Sequence, residues 1–97
     1  FVRHKIPVIA VIGNDASWSQ IARDQVDILK DPVSTELART QYHQAVEALG
    51  GIGFNIEHDE EIESILSQAR KSAESGKVVA VNVKIGKTDF RQSSISI

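Results

Sequence analysis

Asn14 and Asp15 stand side by side at the end of an uncharged run, "PVIAVIG", Pro7 to Gly13. Two short side chains with hard oxygens, set where an apolar strand gives way to a helix, can do two kinds of chemistry. They can cap the helix and shape the turn, as Asn and Asp commonly do with no ligand present. They can also ligate Mg2+, which takes one or two protein oxygens and fills its other positions with phosphate and water. Ligands of open parallel sheets bind beyond the carboxyl ends of the strands. A helix N-terminus just downstream offers unpaired amides to a phosphate. A metal–diphosphate site and a plain helix cap both satisfy the residues, and the pattern alone leaves them as alternatives.

The other candidates are weaker. "GGIGF", Gly50 to Phe54, has the look of a phosphate loop but runs from helix to strand, the reverse of a phosphate-cradling loop. It reads as helix termination and a tight turn. His4, His43 and His58 share no ligand spacing, so zinc is not indicated and surface or capping roles are expected. No Gly-x-Ser-x-Gly elbow occurs. Cysteine is absent, which removes disulfides, thiolate metal sites and thiol chemistry. The acidic run Glu57 to Glu63 reads as a solvated helix start. Trp18 reads as a core or interface anchor.

The elements that must position Asn14 can be read from periodicity. Ile6 to Ile12 is a continuous Val/Ile run, the pattern of a strand covered on both faces inside a parallel sheet. Ser17 to Leu29 reads as a helix, with Ser17 and Gln20 as its capping box and Trp18, Ile21, Ala22, Val26 and Leu29 as its apolar stripe. Asp31-Pro32 breaks it, and Val33 to Arg39 is a connector. Gln41 to Leu49 reads as a second helix, with Thr40 as N-cap and Gly50 as its C-terminal glycine. Gly53 to Ile56 is a short strand. Asp59 to Ser75 is a helix whose acidic start and basic later part match the helix dipole, with Ile62, Ile65, Leu66, Ala69 and Ala73 as its buried face. Gly76 ends it, and Val78 to Ile85 is the last strand. Residues 86–97 form a polar tail without periodicity. The order strand, helix, helix, strand, helix, strand implies an α/β fold with a parallel sheet and right-handed crossovers.

Composition bounds the rest. A chain of 97 residues suits one small domain. A net charge of -2 with no basic block argues against a nucleic-acid surface. The longest apolar run is about seven residues, far short of the roughly 20 that span a bilayer, so no membrane contact by this segment is expected. The chain has no methionine, begins almost at once with a strand, and places a doubly covered strand among only three. These features together favour a piece of a larger protein.

The stretches "HKIPVIAVIGNDASWSQIARDQV", "YHQAVEALGGIGFNI" and "VVAVNVKIGKTDFR" resemble the thiamine-diphosphate-dependent enzymes, in the C-terminal domain that holds the diphosphate. The likeness covers essentially the whole chain and is nearest the animal acetolactate synthase-like branch, whose members cleave 2-hydroxyacyl-CoA. "VRHKIP", "GNDASW" and "GKTDFR" make it specific. The resemblance implies a three-layer Rossmann-like sheet with flanking helices, residues 1–97 being the C-terminal part of that domain. It implies thiamine diphosphate and Mg2+ as cofactors, with the Asn14 side chain and the Ala16 backbone carbonyl as metal ligands. The turn Gly13, Asn14, Asp15, Ala16, Ser17 and the helix start at Trp18 would face the diphosphate. Asp15 stands where many relatives carry Asn or Gly, and no firm role follows for it.

The departures matter as much. The Gly-Asp-Gly half of the motif, with its metal-binding Asp, falls about a dozen residues before Phe1 by the motif's spacing and is absent. The activating Glu of the family belongs to another domain and is absent too, so no catalytic residue is assigned here. The family places its hard chemistry on the cofactor, which supplies the nucleophile and electron sink for carbon–carbon cleavage. The expected function is therefore that of a lyase fragment that anchors Mg2+ and diphosphate and is inactive alone. The expected partners are the rest of the parent chain, a homo-oligomer and an acyl-CoA substrate, in a parent anchored at the endoplasmic reticulum membrane. The alternatives are an acetolactate synthase-type carboligase, or a non-catalytic α/β interaction module in which Asn14 and Asp15 merely cap a helix. Asn14 reads as lying outside the buried run, so its replacement by Ala is expected to impair cofactor retention more than fold stability.

Overall fold

The computed structural model describes residues 1–87; the greater part of the tail expectation, and the end of "GKTDFR", lie outside these residues. The elements are β1 (Val8–Asn14), α1 (Ser19–Leu29), α2 (Tyr42–Ala48), β2 (Ile52–Ile56), a 3-10 turn (Asp59–Glu61), α3 (Ile62–Glu74) and β3 (Val78–Lys84). The three strands form one parallel sheet in the order β1-β3-β2. The expected α/β class and parallel sheet are therefore present, with helix and strand ends moved by one to three residues. No helix among the described residues is long and apolar enough to cross a membrane.

The described residues fall into two compact units, Phe1–Asn14 with Thr40–Ile85, and Asp15–Arg39 with residues 86–87. In the first, β3 is the central strand, and its apolar run has the physical reason that the sequence pattern suggests. Val79, Val81 and Val83 share a face with Ile52, Phe54 and Ile56 of β2, and α3 closes that face with Ile65, Ala69 and Ala73. Val79, Val81 and Ala69 are wholly buried. Ile62 and Leu66, expected on the buried face of α3, are partly exposed.

The opposite face is closed by α2 at very short range. A Cβ added at Gly53 would meet the His43 backbone, and one added at Gly51 would meet the Val46 side chain. Gly50 has φ +94 and ends the helix, as expected. The glycines of "GGIGF" therefore serve helix termination and close helix–strand approach. His58 caps the 3-10 turn in a reciprocal box with Glu61, whose carboxylate accepts from the His58 and Glu57 amides. Those two amides, Glu57 first, hold the Glu61 carboxyl below its usual range.

Among the described residues β1, whose Val/Ile run reads as a strand covered on both faces, pairs with β3 alone, and Val11 is 59% exposed.

In the second unit, α1 keeps its stripe only in part: Ala22 is buried, while Trp18, Ile21 and Leu29 are exposed. Lys30 closes the helix in the left-handed conformation, its amide donating to the Val26 carbonyl. The connector is tied back by Gln25, whose amide donates to the Asp31 and Val33 carbonyls. Thr35 is buried and donates to the Pro32 carbonyl at 2.6 Å.

Candidate thiamine diphosphate site

Asn14 is the last residue of β1 and is 4% exposed. This overturns the premise that it lies outside the buried region. Its Nδ2 donates to the Thr40 carbonyl at 2.8 Å and to Asn82 Oδ1 at 3.2 Å. Asn82, itself 3% exposed, donates from Nδ2 to Asn55 Oδ1 at 2.8 Å. Asn55 in turn donates to the Glu57 carboxylate at 3.1 Å. Three asparagine amides thus cross β1, β3 and β2 on the face that carries α2. Thr40 was expected to cap α2 with its side chain. Gln41 stands at the N-cap instead, without a side-chain cap, while the Thr40 carbonyl accepts from Asn14.

Gly13 leaves little room on the other face, since a Cβ there would lie 3.2 Å from Ile85 Cδ1. The Asn14 carbonyl accepts from the Ile85 amide at 3.1 Å, which carries the pairing of β1 and β3 to the strand's last residue.

The segment that follows belongs to the second unit. The Asp15 carboxylate accepts from the Ser17 amide at 3.0 Å through Oδ1 and from the Ser19 hydroxyl through Oδ2. These bonds, Ser19 first, hold the Asp15 carboxyl below its ordinary value against the opposing effect of burial. Asp15 therefore does the turn-making work that the capping reading assigned to the pair. The Ser17–Gln20 box is not formed in its expected register: Trp18 occupies the N-cap with no side-chain cap, and Ser17 Oγ donates to the Thr35 carbonyl at 3.3 Å. A carboxylate two residues upstream is the better acceptor for the Ser17 amide, so the hydroxyl is left for another bond. Trp18 is 56% exposed and is not a core anchor. Its amide donates to the Thr35 carbonyl at 2.8 Å.

Ala16 holds φ +56, the left-handed region that costs an alanine about 1 kcal/mol. Its carbonyl accepts from the Leu37 amide at 2.8 Å. A carbonyl oxygen has two lone pairs, so this bond is compatible with metal ligation.

The donor chemistry suits a small hard cation. No cluster of three His, Cys, Asp or Glu that could hold a metal occurs among the described residues, so what these residues offer a cation here is amide and carbonyl oxygen. Hard oxygens of this kind, joined by phosphate and water, suit Mg2+. Asn14 fits it, because both hydrogens of its amide nitrogen point to acceptors of the protein and its oxygen is the atom suited to a cation.

The sequence profile described as "Thiamine pyrophosphate enzyme, C-terminal TPP binding domain" matches residues 1–83. The chain belongs to this thiamine pyrophosphate enzyme family. It is 50% identical over 99 residues to 2-hydroxyacyl-CoA lyase 2 of Danio rerio and 46% identical over 99 residues to that of Homo sapiens. In both comparisons all of this chain is covered and 16% of the relative. A more distant relative is the sulfoacetaldehyde acetyltransferase of Alcaligenes xylosoxydans xylosoxydans, 27% identical over 100 residues, with 98% of this chain and 17% of that protein covered. The chain thus spans about a sixth of the length of the curated relatives it matches. Within the family's thiamine pyrophosphate-binding domain, the matched region contains Asn14, the Asp15 turn and all three members of the asparagine ladder.

Asn82 and Asn55 are the residues that sequence reasoning missed. The signal was present in "VVAVNVKI": an asparagine inside a strand of valines must be buried and must find partners.

Proposed function

We propose that this chain is the C-terminal cofactor-binding part of a thiamine-diphosphate-dependent lyase that cleaves 2-hydroxyacyl-CoA. The observation that carries this reading is identity of 46–50% along the whole chain to proteins named for that activity. Asn14, through its side-chain oxygen, and Ala16, through its backbone carbonyl, are the Mg2+ ligands of this reading. Gly13, Asp15, Ser17 and Trp18 form the segment that faces the diphosphate. Bound thiamine diphosphate supplies the nucleophile and the electron sink for carbon–carbon cleavage. The residues of this chain hold and orient: the buried bonds of Asn14 fix its amide, and the Asp15 carboxylate fixes the turn that follows.

The parent carries the acyl-CoA site, forms a homo-oligomer and is anchored at the endoplasmic reticulum membrane, as the family resemblance implies. The likeness to an acetyltransferase supports the broader reading of a carboligase or transferase on the same cofactor.

The test uses the parent enzyme. Mg2+-dependent thiamine diphosphate binding by calorimetry is expected to weaken at least about tenfold in Asn14→Ala, with cleavage of a 2-hydroxyacyl-CoA falling in parallel. Unchanged cofactor affinity would remove Asn14 from the metal site. A parent sequence without Gly-Asp-Gly about 25 residues before Asn14 would defeat the enzyme reading outright.

A further inference from the structure

We propose that Asn82, supported by Asn55, is a positioning residue for the Asn14 metal ligand, so that Mg2+ affinity is set in part by side chains that do not touch the ion. The inference rests on the reading of Asn14 as a ligand and concerns what makes it a good one. The sense of the ladder is fixed at both ends. The Thr40 carbonyl can only accept, so the atom of Asn14 that faces it is the amide nitrogen. The Glu57 carboxylate accepts from the Asn55 nitrogen, so Asn55 presents its oxygen to Asn82. Asn82 must then present its oxygen to Asn14. One arrangement satisfies every link, and it gives Asn14 a single amide orientation.

Two consequences follow for the ion. With Nδ2 held by two acceptors, 2.8 and 3.2 Å away, the Asn14 amide cannot turn over to present nitrogen where a cation needs oxygen. Each donated bond also moves electron density toward the amide oxygen, and bonds in a chain reinforce one another in a buried setting. Partners of metal ligands act in this way generally, and their loss costs about 10–100-fold in metal affinity. Asn82 is at least as buried as Asn14, so water does not replace its bond readily.

The experiment measures the half-saturating Mg2+ concentration for thiamine diphosphate binding to the parent enzyme, alongside the thermal midpoint. Asn82→Leu removes the acceptor and is expected to raise the Mg2+ requirement about tenfold. Asn82→Asp keeps an acceptor for Asn14 but opposes a carboxylate to Asn55 Oδ1. It is expected to hold the Mg2+ requirement within about threefold of wild type while lowering the thermal midpoint more than Asn82→Leu does. A merely structural Asn82 predicts the same rank in both measurements. Asn55→Ala is expected to raise the requirement about two- to threefold, and it carries the test if Asn82→Leu does not fold. In an Asn14→Ala background, Asn82→Leu should add nothing. If Asn14→Ala shifts the Mg2+ requirement but Asn82→Leu and Asn55→Ala do not, the positioning role is overturned and the ligand reading stands. If Asn14→Ala itself shifts nothing, both fall together.

Discussion

Gly53→Ala is the substitution whose effect the structure specifies most closely. The added Cβ would lie 2.5 Å from the His43 carbonyl oxygen, 2.8 Å from its carbonyl carbon and 2.9 Å from its Cβ. Two of these three atoms are backbone and cannot rotate away. β2 cannot retreat easily either, since it is paired with β3 from Ile52 to Ile56. Ordinary contact begins near 3.4 Å, so α2 must lift by about 0.9 Å. Overpacking of this kind costs about 1–3 kcal/mol, and backbone clashes put this case at the upper end. At roughly 4–8 °C per kcal/mol for a domain of this size, the transition containing it should fall by about 10–20 °C. The shift also reaches Thr40, three residues before His43. A 2.8 Å bond from Asn14 lengthened that far is no longer a hydrogen bond. Thermal scanning of the parent enzyme, with hydrogen exchange over residues 52–56 to localise the loss, makes the measurement. Gly86→Ala meets nothing within 4 Å and serves as the neutral control, within about 0.5 kcal/mol of wild type. Gly76→Ala also meets nothing but has φ +87, so it should cost about 1 kcal/mol through conformation alone. If Gly53→Ala melts with Gly86→Ala, the close approach of α2 to β2 is refuted.

Ala16→Gly should raise stability by about 0.5 kcal/mol, since relief of the left-handed φ outweighs the entropy of glycine, while Ala16→Val should lower it. Neither removes the backbone carbonyl that is proposed as a ligand, so an order-of-magnitude loss of Mg2+ affinity in Ala16→Gly would count against the proposed geometry. The Asp15 carboxyl is depressed in the folded state, so its contribution is complete above its ordinary value of 3.8 and is lost as pH falls through the lower folded value. The stability gap between wild type and Ser19→Ala should therefore be constant at neutral pH and close in that acid range. A gap that widened on acidification would reverse the sign. The isolated chain should bind thiamine diphosphate with Mg2+ weakly or not at all, and tight binding by calorimetry would show that these residues suffice without the Gly-Asp-Gly half.

The periodic signals carried the fold because burial drives them. Val79 and Val81, α3 and the glycine stop at Gly50 follow from alternation, helical spacing and φ respectively. What stayed hidden depended on neighbours distant in sequence. The Val/Ile run of β1 could not say that it would pair with β3, 70 residues further on. Gly53 read as a turn glycine, because nothing local shows that the His43 backbone would lie against it. Capping by Asp15 displaced the Ser17 register through competition between two acceptors for one amide, which spacing rules do not weigh. At the site, the sequence pointed to Asn14 but could not show it buried, because the Thr40 and Asn82 acceptors of its amide lie 26 and 68 residues away.

The strand order has a kinetic meaning as well. Among the described residues β1 and β2 each pair with β3, and Val8 meets Val78 roughly 70 positions later. On a ribosome adding about 5–20 residues per second, the β1–β3 pairing waits some 4–14 seconds for β3 to emerge. Both described pairings therefore form late and together, and a translation stop before Val78 would leave β1 and β2 without the strand that pairs with each of them.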